Sequence, residues 1–181
     1  MAAFVLVPHP DFPSTAIRSI EVEASRGEGG RLELEYRAIG AVECVRWPEW
    51  KAVEPADRLW EHSCFEVFVG AAGEPGYAEL NFATSGQWAA YCFTSYRHGM
   101  QPIDDVLVGG GRTFGEGEVR VRRTIDLPDW ADARTWRIGL TAVIEALDGE
   151  KSYWALAHPE GPPDFHDEVC FAARLAAPER P

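Results

Sequence analysis

The sequence predicts an all-β protein, an antiparallel sandwich or barrel of about ten to twelve short strands in one domain spanning residues 1–181. Three observations carry this expectation. Apolar and polar residues alternate with a period of two along most of the chain. Seventeen Gly and 13 Pro punctuate the alternating runs. No long stretch shows apolar residues at a 3.6 spacing between recognisable caps. A length of 181 residues suits one domain, and 46% hydrophobic residues suffice for a real core.

The runs follow in order. Residues 17–24 and 32–39 alternate on either side of a glycine turn at Gly27-Glu-Gly-Gly30 and read as paired strands. Alternation returns over 64–69, 77–82, 88–94, 119–125, 136–144 and 169–175. Asp148-Gly149, just before Ser152-Tyr-Trp-Ala-Leu, signals a two-residue hairpin. Gly109-Gly-Gly111 is expected in a loop, residues 128–134 in one helical turn, and the last six residues frayed.

Charge narrows the function. Seventeen Lys plus Arg against 29 Asp plus Glu give a net charge of −12, spread over both halves without a basic patch. Phosphate recognition needs clustered cations, so neither nucleic acid nor an anionic membrane surface is an expected partner. With only Lys51 and Lys151, a Schiff-base lysine is not an expected device. The N-terminal Ala2–Val7 stretch lacks a basic segment and is too short for a signal peptide, which points to a cytoplasmic protein. Cys44, Cys64, Cys92 and Cys170 then read as reduced, buried small hydrophobes.

The unusual residues lie mid-chain. In the 64–69 run, Phe65, Val67 and Val69 point to the core, leaving Trp60, His62, Cys64, Glu66 and Phe68 on the other face. Leu80 and Phe82 turn inward in the next run, which sets Tyr77, Glu79 and Asn81 outward. In the run after that, Tyr91 and Phe93 are assigned inward, with Trp88, Ala90 and Cys92 outward. One face thus collects Trp, Glu, Glu, Asn and Trp, a set that suits sugar recognition: indoles stack on a pyranose, while carboxylates and amides bond its hydroxyls. The plainer alternative is a covered face on which Glu66 and Glu79 form structural ion pairs with Arg58 or Arg97.

A second cluster, His158, Asp164 and His166 in a Pro-rich loop, has residue types that suit zinc or iron, although rigidifying the loop through backbone hydrogen bonds explains it more simply. Nothing has catalytic spacing. Thr84-Ser-Gly86 lacks a nucleophile elbow, and Glu66 with Glu79 as a glycosidase pair is a minor alternative to a protein that is not an enzyme.

The runs Asp57-Arg-Leu-Trp60-Glu-His-Ser-Cys-Phe-Glu66, Tyr77-Ala-Glu-Leu-Asn81 through Trp88, Arg97 and Met100, and Tyr153-Trp-Ala-Leu-Ala-His158 through Asp164-Phe-His166 resemble the bacterial DOMON-like proteins. That group is related to family 9 carbohydrate-binding modules and to heme- and sugar-binding DOMON domains. The resemblance spans about residues 20–175 and implies an immunoglobulin-like β-sandwich with a ligand site on one sheet face. It further implies a non-catalytic carbohydrate-binding domain without a cofactor, with Trp60, Glu66, Glu79, Asn81 and Trp154 as ligand-binding residues. His62, Trp88 and Arg97 complete the candidate set on the residue reading. The modules' structural calcium ligands have no assignable counterpart. Two alternatives accompany this reading. One is a heme or metal redox domain using Met100 with His158 or His166, and the other is an interaction module, with homodimerisation as one form of it.

Overall fold

A computed structural model describes residues 1–104 and 106–179. Among them are twelve strands: β1 (Ala2–Pro8), β2 (Ile17–Arg26), β3 (Arg31–Gly40), β4 (Cys64–Ala71), β5 (Tyr77–Ala83), β6 (Trp88–Phe93), β7 (Gln101–Pro102), β8 (Leu107–Gly115), β9 (Glu118–Asp126), β10 (Thr135–Glu145), β11 (Lys151–Ala155) and β12 (Ala173–Ala176). The only helical elements among the described residues are single 3-10 turns, so no helix is long and apolar enough to cross a membrane. The all-β antiparallel class expected from the periodicity is the observed one.

The strands form one sheet in the order β7-β6-β5-β4-β10-β11-β1-β2-β3-β9-β8, with β12 added beside β10. The handover occurs within β1. Ala2 to Leu6 pair with β2, whereas Val7 and Pro8 pair with Ala155 and Trp154 of β11. The sheet curls so that its two halves share a core, as sandwich layers do. Tyr36 of β3 packs on Phe65 of β4 with ring centroids 5.0 Å apart, and its hydroxyl donates to the Glu66 carbonyl. Val22, Leu34 and Val121 from one half meet Val67, Leu80 and Trp136 from the other.

Alternation explains the β2–β3–β9 half. Ile20, Val22 and Ala24 face inward, while Glu21, Arg37 and Glu118 meet outside in ion pairs of 3.1 and 2.8 Å. Such exposed pairs stabilise little but keep the outer face hydrophilic. The central strands differ. β4 and β5 are buried at nearly every position on both faces, so a second apolar cluster covers the outer side of this half. That second covering creates the site described below.

Several local expectations are corrected. Residues 109–111 belong to β8, where Gly110 at φ +125° has a virtual Cβ only 2.1 Å from the Arg122 carbonyl oxygen, so no other residue fits that approach. The 169–175 run divides into a 3-10 turn (Glu168–Cys170) and β12. The helical turn at 128–134 is a 3-10 turn over Pro128–Trp130. The hairpin at Asp148-Gly149 is wider than two residues, closing through Ala146 and Glu150. Of the expected frayed tail, Ala176 lies in β12 and the Ala177 amide donates to Arg134, while residues 180–181 lie outside the described residues. All four cysteines are free, but Cys44 is exposed at the end of a 3-10 turn and Cys92 only half-buried, because its outer neighbour is the two-residue exposed strand β7.

Candidate functional site

Register assembles the site face. On β4, Cys64, Glu66 and Phe68 point away from the shared core, and pairing sets Glu66 opposite Asn81 and Phe68 opposite Glu79 on β5. On the other flank, β10 brings Thr141 opposite Glu66 and Val143 opposite Cys64. Val143 in turn pairs with Tyr153 of β11. β6 extends the face with Tyr91 opposite Glu79 and Phe93 opposite Tyr77.

Two chain segments lie over this face. The 3-10 turn Leu59–Glu61 carries Trp60, whose ring meets Tyr91 edge-on at 5.8 Å. The Pro-rich segment after β11 brings Pro163, Phe165 and His166, and it crosses the sheet closely at Gly139. A Cβ on Gly139 would stand 3.1 Å from the Cys170 carbonyl oxygen, so a side chain there would crowd the crossing. Between these segments lies a cleft of about 560 Å³, with Glu66 and Glu79 at its floor and Trp60, Phe68, Phe93, Tyr153 and Phe165 among its walls.

The floor is chemically unusual. Glu66 is 2% exposed and Glu79 6%, yet among the described residues neither has an arginine or lysine within salt-bridge distance. Glu66 accepts from the Cys64 thiol at 3.3 Å and from the Thr141 hydroxyl at 3.1 Å. Glu79 accepts from the Asn81 amide at 2.8 Å. Burial, followed by the charge of Glu79, pushes the Glu66 carboxyl up to about 8, and burial also raises Glu79. The same neighbourhood pushes the Cys64 thiol well up, chiefly by burial, so it stays a thiol that donates.

A relay of hydrogen bonds orients the closing loop. The Arg97 amide donates to the Tyr77 hydroxyl at 3.1 Å, which leaves the Tyr77 proton to donate to His166 Nδ1 at 2.7 Å. His166 Nε2 then carries the remaining proton and faces Glu79 at 3.6 Å. Desolvation lowers His166 to about 4, consistent with a neutral ring. Asp164 anchors the loop by accepting from the Arg97 guanidinium at 2.7 Å and from Tyr96. Burial would raise Asp164, but these bonds outweigh it and hold the carboxyl below the usual range.

The predicted residues divide as follows. Trp60, Glu66, Glu79 and Arg97 line the cleft together, and Asn81 lies beneath it. Trp88 and Trp154 do not join them. Both sit in the shared core, Trp88 opposite Phe82 and Trp154 opposite Ala142, because the facing assigned to 88–94 is inverted and Tyr153 is the outward aromatic of β11. Tyr91 and Phe93 accordingly occupy the site side. His62 is exposed and bonds Glu145 at 2.7 Å, away from the cleft. The alternative of Arg58 or Arg97 pairing with the two glutamates is also corrected, since Arg58 bonds Glu61 and Arg97 bonds Asp164.

The metal cluster does not assemble. His158 bonds the Val7 carbonyl at 2.9 Å, Asp164 holds Arg97, and His166 serves Tyr77; among the described residues no group of three or more ligating side chains is placed around a common point. Nor do the residues fit a heme. Met100 and His166 both line the cleft, but the His166 lone pair at Nδ1 is taken by Tyr77, and its other nitrogen carries the proton. Tyr153, Phe165 and Lys151, which the sequence did not single out, are part of the cleft wall.

No family model and no curated protein matches the chain. Among solved structures it is similar to a Bacteroides uniformis protein whose carbohydrate-binding role is itself a proposal. The TM-score is 0.68 at 18% identity, over 97% of this chain and 85% of that one. It is also similar to a family 9 carbohydrate-binding module from Caldicellulosiruptor kristjanssonii. The complex of that module with cellotriose gives a TM-score of 0.55 at 8% identity, over 97% of this chain and 83% of the module. Its complex with glucose gives 0.53 at 7%, over 93% and 80%. At these identities the likeness establishes a shared fold.

Proposed function

We propose that this chain is a non-catalytic carbohydrate-binding domain that takes a sugar in the cleft over β4, β5 and β10. The observation that supports it most is the floor itself: two buried carboxyl groups without cationic partners within salt-bridge distance among the described residues, walled by aromatic rings, in a cleft of about 560 Å³. Sugar hydroxyls are donors that such acceptors can use, and Trp60 and Tyr153 offer faces or edges for an apolar ring surface. The sugars bound by the structurally similar module, and the DOMON-like motifs in the sequence, are in keeping with this reading.

Titration of glucose and cello-oligosaccharides against intrinsic tryptophan fluorescence tests it. Weak, saturable quenching is expected, because an open cleft gains little beyond stacking and a few hydrogen bonds. Trp60→Ala should abolish the response. A flat titration at tens of millimolar in both proteins would refute the proposal, and would favour a domain that retains the fold without the ligand site.

A further inference from the structure

The donor and acceptor inventory of the floor bears on the class of sugar, an inference that rests on the carbohydrate-binding reading. Glu66 and Glu79 together present four carboxyl oxygens to three protein donors: the Cys64 thiol, the Thr141 hydroxyl and the Asn81 amide. His166 Nε2, at 3.6 Å from Glu79, is beyond a good hydrogen bond. Asn81 is fully buried, and its Oδ1 has no partner among the described residues, a condition rare in folded proteins. That residue stands directly across the β4–β5 ladder from Glu66. The cations nearby are committed elsewhere, Arg97 to Asp164 at 2.7 Å and Lys151 to the Glu61 carbonyl at 2.5 Å.

The floor therefore has acceptors in excess and a carboxyl pair that no cation contacts directly, Glu66 keeping a proton below about pH 8 and Arg97 acting on Glu79 only from a distance. A neutral hydroxyl offers one donor and no charge, whereas a primary ammonium offers three donors and a full positive charge. The aromatic walls add to this preference, because ring faces attract cations. We propose that the preferred ligand is an amino sugar with a free amine, its ammonium bonded between Glu66 and Glu79. The sugar ring then lies against the Trp60 and Tyr153 side of the cleft.

Glucosamine, glucose and N-acetylglucosamine distinguish charge from shape. Each is titrated into the full chain by calorimetry at about pH 6.5, where a free amine is protonated. Glucosamine is expected to bind about tenfold tighter than glucose or more, a difference of about 1.4 kcal/mol. N-acetylglucosamine, which lacks the charge, should bind no tighter than glucose. Glu79→Gln should weaken both sugars and bring the glucosamine-to-glucose ratio to about one, since with Glu66 holding its proton at this pH the charge of the pair rests on Glu79. If that variant does not fold, the wild-type ratios decide alone.

Equal affinity for glucosamine and glucose overturns this inference and leaves the carbohydrate-binding reading intact. A preference that survives N-acetylation, or persists in Glu79→Gln, overturns it as well, because shape would then be the cause. Stoichiometric calcium binding that abolishes the glucosamine response assigns the floor to a metal ion and overturns it. No response to any sugar overturns both readings.

Discussion

Glu66→Gln should flatten the dependence of stability on pH. In the native protein the Glu66 carboxyl is raised to about 8 by burial and by Glu79, from an ordinary value of 4.5. Between these values the folded state holds a proton that the unfolded state has released, so unfolding free energy falls as pH rises. His166, lowered to about 4, acts in the opposite sense, because its neutral form is favoured by folding and stability is lost as pH falls below the ordinary histidine value of 6.5. Its contribution is constant above about pH 6.5, so the window from there to about pH 8 isolates the carboxyl pair. One carboxyl in that window changes stability by at most about 1.4 kcal/mol per pH unit, or about 2 kcal/mol in all. For a chain of this size that corresponds to about 4–8 °C in midpoint. The amide introduced by Glu66→Gln keeps an acceptor for Cys64 or Thr141 but titrates nothing. Its own cost, about 1–2 kcal/mol for a less suitable hydrogen-bond set, is independent of pH. Thermal unfolding followed by circular dichroism across the window should therefore show the wild-type midpoint falling and the Glu66→Gln midpoint holding nearly level. Parallel curves would mean that Glu66 is ionised in the native state at neutral pH, and the reasoning from burial would fail.

Other substitutions separate core from cleft. Trp154→Ala should cost about 3–5 kcal/mol in urea unfolding, because the indole is 2% exposed and leaves a cavity in the shared core. Tyr153→Ala, one residue away on the opposite face and half-buried, should cost far less, about 1 kcal/mol, while weakening sugar binding in the fluorescence titration. Tyr36→Phe removes the buried hydroxyl that bonds the Glu66 carbonyl across the two halves, and chemical denaturation should show a loss of about 1–2 kcal/mol. Gly139→Val should destabilise by about 1–3 kcal/mol, since its side chain would meet the loop at the Cys170 carbonyl.

The fold class was legible because half of the sheet obeys a simple contrast. β2, β3 and β9 alternate apolar and charged residues, so period two both identifies and orients them. Glu66, Glu79 and Asn81 were legible for a related reason: they are polar residues inside otherwise apolar runs, and Phe65, Val67 and Leu80 fix which side they take. Where both faces are apolar the contrast vanishes. Trp88-Ala-Ala-Tyr-Cys-Phe reads equally well in either phase, and only the pairing of Tyr91 with Glu79 decides it. The adjacent aromatics Tyr153 and Trp154 pose the same ambiguity, decided by β10 through Val143 and Ala142. β8 was hidden by its glycines, whose usual role in loops outweighs the weak alternation around them. The closing loop was hidden for a different reason. His166 reaches Tyr77 across 89 positions of sequence, a contact that no local pattern encodes.

The second covering of β4, β5 and β10 also bears on why the glutamates are there. Strands buried on both faces are ordinarily filled with Val, Ile and Leu, and a leucine at position 66 or 79 would satisfy the packing without desolvating a carboxyl. Instead the sheet carries two acids, a buried asparagine with an open acceptor, and a threonine and a thiol spent on holding Glu66 in place. A histidine kept neutral by burial faces Glu79, and the arginine that could neutralise the pair is tied to Asp164 instead. Apart from the two donors to Glu66, these arrangements leave the acids less satisfied than the fold alone requires. Local conflict of this kind is expected where a surface is shaped for a ligand rather than for stability, and the cleft floor gathers two acids and an open amide acceptor in one place.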